Sequence, residues 1–182
     1  MKTSRKISKR VMVSVGAGIM LALLYGIIFR FSAQDADESG SLSRAVSEKC
    51  VEVISSLSGR QWSLERKEQW AEYLEHPIRK MAHFTEYACM GVLVYVLWSQ
   101  WVKRGKALYV LTVAWVAVSA AADEFHQLFV PGRDGNLRDV CLDTLGGAAG
   151  MLFCILAGKI LLRRRRRITS ECGANTPPTP EA

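Results

Sequence analysis

The hydropathy pattern of the chain consists of four long apolar runs separated by segments rich in charge. The first run, residues 11–29, carries no charged residue. At about 1.5 Å per helical residue such a run approaches the roughly 30 Å of a membrane's hydrocarbon core. The pattern predicts an all-α, polytopic integral membrane protein with four transmembrane helices. The predicted spans are residues 11–30, 81–102, 107–130 and 139–162.

The segment between the first two spans, residues 31–80, is too long for an unstructured connection and is predicted to be a helical loop. Apolar residues recur at helical spacing over residues 42–57, and a second, polar helix is predicted over residues 63–75. Pro77 then suits the first turn of the second span. Two placements of the loop helices remain open: apolar faces lying on the outer leaflet, or packing against the bundle as a cap.

Positive charge without acidic neighbours is concentrated in three short segments, residues 1–10, 103–106 and 163–167. The positive-inside rule places all three in the cytoplasm, and an even number of spans then places both termini there. The net charge of +7 is thereby explained by membrane topology. Anionic membrane lipids are the partners that this charge predicts, and no nucleic-acid partner is expected.

This topology divides the rest of the chain between the two sides of the membrane. The basic N-terminus, residues 1–10, is predicted to be cytoplasmic, and residues 163–182 a basic and disordered cytoplasmic tail. The helical loop and the turn at residues 131–138 are predicted to be extracytoplasmic.

Ionisable and amide side chains within or beside the last three spans are concentrated at the predicted outer ends. Their helical spacing puts several on shared faces, and the topology brings all of them to one depth beneath the outer headgroups. The candidate site residues are Arg79, His83, Glu86, Asp123, Glu124, His126, Gln127, Arg133, Asp139 and Asp143.

Charged residues within spans are costly and normally face a bundle interior or a wet cavity. One interpretation is a catalytic site in which His83 or His126 is the acid or base, and Glu86, Asp123 and Asp139 orient it or hold a metal. A second is a structural latch of Arg–carboxylate and His–carboxylate pairs that fixes helix register, and a third is a set of interfacial charges that simply face water. No particular metal, cofactor or oligomeric state follows from these residues.

Substrate binding is predicted for the remaining candidates. Arg133 could hold an anionic head by a bidentate fork. The predicted substrate-binding residues are Arg79, Glu124, Gln127, Arg133 and Asp143. Arg79, Arg133 and Arg138 are the expected counter-ions for the acids. A transporter is disfavoured, because the cytoplasmic halves of the spans lack charge.

Three blocks of this sequence, RKMAHFTEY, ADEFHQLFVPGR and LRDVCLDTLGGAAG, resemble the signature blocks of the VanZ-like family of bacterial membrane proteins. They have the family's order and spacing, and the VanZ-like region covers residues 31–150. The resemblance implies a multi-pass protein of the bacterial plasma membrane, in a family whose founding member is associated with low-level teicoplanin resistance.

The resemblance and the polar cluster together predict a site at the outer leaflet that binds or processes an amphiphilic cell-envelope molecule. A lipid-linked precursor or a lipoglycopeptide is the expected ligand, with a link to glycopeptide (teicoplanin) susceptibility. The alternative is a non-enzymatic membrane assembly or binding factor, in which the polar cluster is a structural latch.

Overall fold

The computed structural model describes residues 2–59 and 62–174, except for the side chains of residues 2–6, 36–39, 165–166 and 168–174. Within these residues the chain forms helices and turns and no strand. The helices are α1 (Lys2–Ser32), α2 (Ala36–Leu57), α3 (Leu64–Ser99), α4 (Lys106–Gln127) and α5 (Leu137–Ala174). All except α2 are long and apolar enough to cross a membrane, which confirms the predicted all-α fold with four candidate spans.

Helix α3 is continuous through Pro77, so the predicted break between a loop helix and the second span is wrong. The helix begins after Ser63, whose Oγ accepts a hydrogen bond of 3.3 Å from the backbone N–H of Arg66. A proline inside a helix removes one backbone hydrogen bond and costs about 3 kcal/mol. Packing offsets this cost, because α2 lies against the part of α3 before Pro77 and α5 against the part after it.

Helices α1 and α5 extend beyond the predicted spans. Helix α1 already begins at Lys2, within the segment predicted as a basic N-terminus. Helix α5 continues to Ala174, so the prediction of disorder is wrong for residues 163–174. Arginine is a good helix former, and a run of arginines can prolong a helix that a span has already nucleated. The rest of the predicted tail, residues 175–182, lies outside the described residues.

Helix α2 packs against α3 through its small polar residues and exposes most of its apolar ones. It buries Ser47 and Val51 almost completely, whereas Leu57 is 83% exposed. Small side chains allow two helices to approach closely, which explains why the serine face is the packed one. The predicted apolar stripe exists and is largely exposed, although Leu42 and Val46 line a cavity that α2 shares with α3.

Glycines bring the backbones of α3 and α5 into direct contact. A Cβ added at Gly91 would collide with the carbonyl oxygen of Gly147, and one at Gly150 with that of Ala88. Gly146 meets the carbonyl of Phe84 in the same way. The small-residue contact surface predicted for Gly146 and Gly150 is confirmed, and α3 is the helix that it contacts.

The apolar core lies next to the end of the bundle that carries the predicted site residues. Tyr87, Met90 and Val94 of α3 are fully or almost fully buried, and Val116 and Ala120 of α4 pack in the same cluster. Because this core fixes the rotation of α3 and α4, it also decides which of their polar side chains face one another.

Candidate functional site

A polar cavity of about 300 Å³ lies between α3, the end of α4, the α4–α5 turn and the start of α5. Seven of the ten predicted site residues line it. They are Arg79, His83, Glu124, Gln127, Arg133, Asp139 and Asp143. The other three, Glu86, Asp123 and His126, line two neighbouring cavities instead.

Helical spacing and a tight turn build this cavity. Residues 79 and 83 of α3 are one helical turn apart, as are residues 139 and 143 of α5, so each pair shares a face. The turn reverses the chain at Gly132, whose φ of 73° favours glycine. Asn136 precedes α5 and caps its first turn, since its Oδ1 accepts a 3.0 Å hydrogen bond from the backbone N–H of Arg138.

An ion pair between Lys80 and Asp139 joins α3 to α5 at the cavity wall. The two side chains are only 28% and 21% exposed. The prediction assigned arginines as counter-ions, and for Asp139 this is wrong. Lys80 follows Arg79 directly, a rotation of about 100° around the helix, and from that face its ammonium reaches Asp139 on α5. Arg138, one of the expected counter-ions, is exposed and does not line the cavity.

Two buried polar residues of α4 are held by hydrogen bonds to other segments. The carboxylate of Glu124, 7% exposed, accepts a 2.8 Å hydrogen bond from the backbone N–H of Asn136. The amide of Gln127 donates a 2.8 Å hydrogen bond to the hydroxyl of Ser32, which is fully buried at the end of α1. These contacts tie α4 to the turn and to α1, and sequence reasoning missed the role of Ser32 and Asn136.

Asp143 and Arg133 leave hydrogen-bonding atoms without a partner in the described part of the chain. Asp143 is 2% exposed, and its Oδ1 accepts no hydrogen bond. Arg133 donates from Nη2 to the carbonyl oxygen of Phe31 at 3.1 Å, but its buried Nε has no partner. Burial lowers the pKa of Arg133, and the Arg79 guanidinium lowers it further. Unsatisfied buried polar atoms facing a cavity are a property expected of a ligand site.

A smaller cavity of about 150 Å³ adjoins the first and is mostly apolar. Side chains of α2 and α3, including Leu42, Val46 and Ile78, form much of its lining. Arg79 and His83 line both cavities, and so they form the boundary between a polar and an apolar compartment.

Glu86 lines only this apolar cavity and forms no hydrogen bond with His83. The distance from His83 Nδ1 to Glu86 Oε2 is 3.8 Å, which is an ion-pair distance but too long for a hydrogen bond. The predicted His–Glu pair is therefore close without being directly bonded.

Asp123 and His126 lie together in a third cavity, of about 230 Å³, between α1, α3 and α4. The His126 ring stacks on Phe29 with centroids 4.7 Å apart, and its Nδ1 has no partner among the described atoms. The Asp123 carboxylate accepts a 3.4 Å hydrogen bond from Gln127. The structure thus separates Asp123 and His126 from the main polar cavity.

The described residues contain no group of three His, Cys, Asp or Glu side chains that could hold a metal ion. The predicted metal role of the acids therefore has no ready ligand set in the described residues.

Four helices suited to spanning a membrane, with a polar cavity at one end of the bundle, define a multi-pass helical protein of the membrane type. The family model described as VanZ/LLP1 matches residues 17–158. The match covers most of the chain, which therefore belongs to the VanZ/LLP1 family. No curated protein and no solved structure matches it.

Proposed function

We propose that this protein binds or processes an amphiphilic molecule of the bacterial cell envelope at the outer leaflet of the plasma membrane. The observation that carries the proposal is the pair of adjoining cavities, one polar and one apolar, with Arg79 and His83 as their common boundary. An amphiphile has the same division, with a polar head joined to an apolar tail. Ligand sites commonly combine apolar walls with a few placed polar groups.

The distribution of charge supports the outer leaflet as the location of this site. Helix α4 has 22 residues, so its two ends are about 33 Å apart, close to the thickness of a membrane's hydrocarbon core. The basic segment 103–106 ends at its first residue, Lys106, and the polar cavity lies at its last. With the basic segments and both termini in the cytoplasm, the cavity faces the outer leaflet.

Within this proposal the polar cavity holds the head of the ligand, through Arg79, Glu124, Gln127, Arg133 and Asp143. If the protein also catalyses a reaction, His83 is the better candidate for the acid or base. It borders both compartments, whereas His126 stacks on an aromatic ring in a separate cavity. Asp139 is paired with Lys80, so its role is to position that lysine and the helices that carry the site.

Family membership extends the proposal to antibiotics that act on the envelope. A protein that binds lipid-linked envelope molecules would change the amount of such molecules available to a glycopeptide such as teicoplanin. The expected consequence is altered glycopeptide susceptibility of cells that produce the protein.

The proposal is tested by replacing Asp143 with Asn, with Glu72→Gln as a control, since Glu72 is exposed on α3 away from the cavities. Full-length proteins are purified in detergent, and their folded yield and co-purified lipid are measured, the lipid by mass spectrometry. Asp143→Asn should keep its yield and lose at least two thirds of the co-purified lipid, because it changes the unpartnered oxygen in the cavity. Glu72→Gln should change neither quantity, and glycopeptide susceptibility is compared in cells producing each variant.

A structural latch is the second candidate function of the same cluster. The contacts Lys80–Asp139 and Gln127–Ser32 favour it, because they connect α3 to α5 and α4 to α1. If Asp143→Asn loses folded yield and lipid in parallel, the cluster is a latch and the proposed binding function is wrong.

A further inference from the structure

Two arginines reach the polar cavity from different segments, and neither forms a direct ion pair within the described residues. Arg79 comes from α3 and Arg133 from the α4–α5 turn. In the described part of the chain neither forms an ion pair, although Asp139 and Glu124 line the same cavity. Asp139 is taken by Lys80, and Glu124 accepts from the backbone of Asn136. The guanidinium groups of Arg79 and Arg133 repel each other, although Asp123, Glu124 and Asp35 attract Arg133 from longer range. An anion bound between the two guanidinium groups would relieve their repulsion.

Arg133 is held in place while keeping donors available. One of its terminal nitrogens is anchored on the carbonyl oxygen of Phe31, and its buried Nε has no partner among the described atoms. A guanidinium has five N–H donors in a planar fork that matches two oxygens of a phosphate. A side chain anchored through one nitrogen therefore presents the others in a defined direction.

Arg79 lies where the phosphate of a bound phospholipid is expected. In such a lipid the phosphate joins the polar head to the apolar tail. Arg79 lines both the polar and the apolar cavity, at the boundary where that junction would lie. On the polar side, Asp143 and Glu124 are nearly buried acceptors. They suit the hydroxyl or ammonium donors of a head, whereas a second anionic group would be repelled.

We propose that Arg79 and Arg133 form a subsite for the phosphate group of an envelope lipid, with the lipid's head directed towards Asp143. This inference rests on the proposed function and narrows its ligand to phosphate-bearing amphiphiles. The polar cavity has a volume of about 300 Å³. That volume holds a phosphate with a small head, and it is far too small to enclose a glycopeptide.

The test uses the full-length protein in nonionic detergent micelles with three probes. Dioleoyl phosphatidylglycerol carries a phosphodiester, dioleoylglycerol has the same tails without phosphate, and inorganic phosphate has no tail. Each probe is titrated as a competitor of a fluorescent phosphatidylglycerol. Arg79→Gln and Arg133→Gln are compared with Arg138→Gln, which removes an exposed charge from the same end of the bundle.

Arg79→Gln and Arg133→Gln should each weaken phosphatidylglycerol binding at least tenfold, because each removes a charge-assisted fork. Arg138→Gln should change it less than twofold. Dioleoylglycerol should compete at least tenfold less well than phosphatidylglycerol. Arg133→Lys keeps the charge and loses the fork, so a loss of threefold or more is expected; it replaces Arg133→Gln if that variant does not fold.

Several results would contradict the inference, and they differ in whether they also contradict the proposed function. If dioleoylglycerol competes as well as phosphatidylglycerol, or if all three glutamine variants behave alike, the phosphate subsite is wrong and amphiphile binding survives. If inorganic phosphate competes at the same concentration as the lipid, the site recognises free phosphate and the lipid source is wrong. If the protein binds none of the probes and purifies without lipid, the proposed function fails as well.

Discussion

The ion pair between Lys80 and Asp139 gives a quantitative test of how the polar cluster contributes to stability. Exposed pairs contribute about 0–1 kcal/mol, whereas breaking a buried pair costs about 3–5 kcal/mol. Here roughly three quarters of each side chain is shielded, with 28% of Lys80 and 21% of Asp139 exposed. We therefore expect an intermediate coupling free energy of about 2 kcal/mol.

A double-mutant cycle measures this coupling directly. Lys80→Met, Asp139→Asn and the double variant are unfolded reversibly in mixed micelles, and their free energies of unfolding are compared with that of the unchanged protein. Each single variant leaves one partner unpaired at the α3–α5 contact, so the double variant should be more stable than the sum of the single effects predicts. The charge-swapped protein, Lys80→Asp with Asp139→Lys, should recover part of the loss.

A coupling below about 0.5 kcal/mol would refute this reasoning, because it is within the deviation found for independent sites. The pair would then be a surface contact with no measurable role in holding α3 to α5. The latch interpretation of the cluster would lose its main support.

Two further predictions concern the contacts that frame the cavity. Gly150→Ala should destabilise the protein by about 1–3 kcal/mol, because its Cβ would meet the α3 backbone, whereas Gly16→Ala has open space and should be neutral or stabilising. Thermal unfolding in detergent should show a lower melting temperature for Gly150→Ala and no decrease for Gly16→Ala, and equal decreases would contradict the contact. Gln127→Leu should cost about 1–3 kcal/mol by leaving the buried hydroxyl of Ser32 without a donor, whereas exposed Gln69→Leu should have little effect in the same assay.

The convergence of the polar residues could largely be predicted from the sequence. Residues one helical turn apart must share a face, so Arg79 with His83 and Asp139 with Asp143 follow from spacing alone. The short turn between α4 and α5 then forces Glu124 close to the start of α5. Helical spacing and the length of a turn depend only on residues close together in the sequence, so both can be predicted from the sequence alone.

The direction of the other polar side chains depends on how the helices pack. Asp123 is next to Glu124 in the sequence, a rotation of about 100° around the helix, and it faces a different cavity. Only the packing of α4 against α3 and α5 decides which of the two acids faces α5. For the same reason Lys80 could not be assigned to Asp139 from spacing within α3.

Pro77 shows a second limit of local reasoning. Proline usually marks the start of a helix, and the polar residues before it matched a separate loop helix. The sequence does not reveal that α2 would pack along this segment and hold it in line with the rest of α3. The cost of about 3 kcal/mol for a proline within a helix is offset by contacts between residues far apart in the chain. Local sequence patterns do not contain that information.

The direct backbone contact between α3 and α5 has a consequence for motion. Where Gly91 meets Gly147 and Gly150 meets Ala88, no side chain can change rotamer to accommodate a shift, so we expect the two helices to move together. We therefore expect a ligand to enter the polar cavity beside the α4–α5 turn, which forms the cavity wall opposite α3, and not by separation of α3 from α5. Motions of a loop such as this turn occur in nanoseconds to microseconds. Arg133, the residue proposed to hold the phosphate, lies on this turn, and its hydrogen bond to the Phe31 carbonyl links the turn to α1.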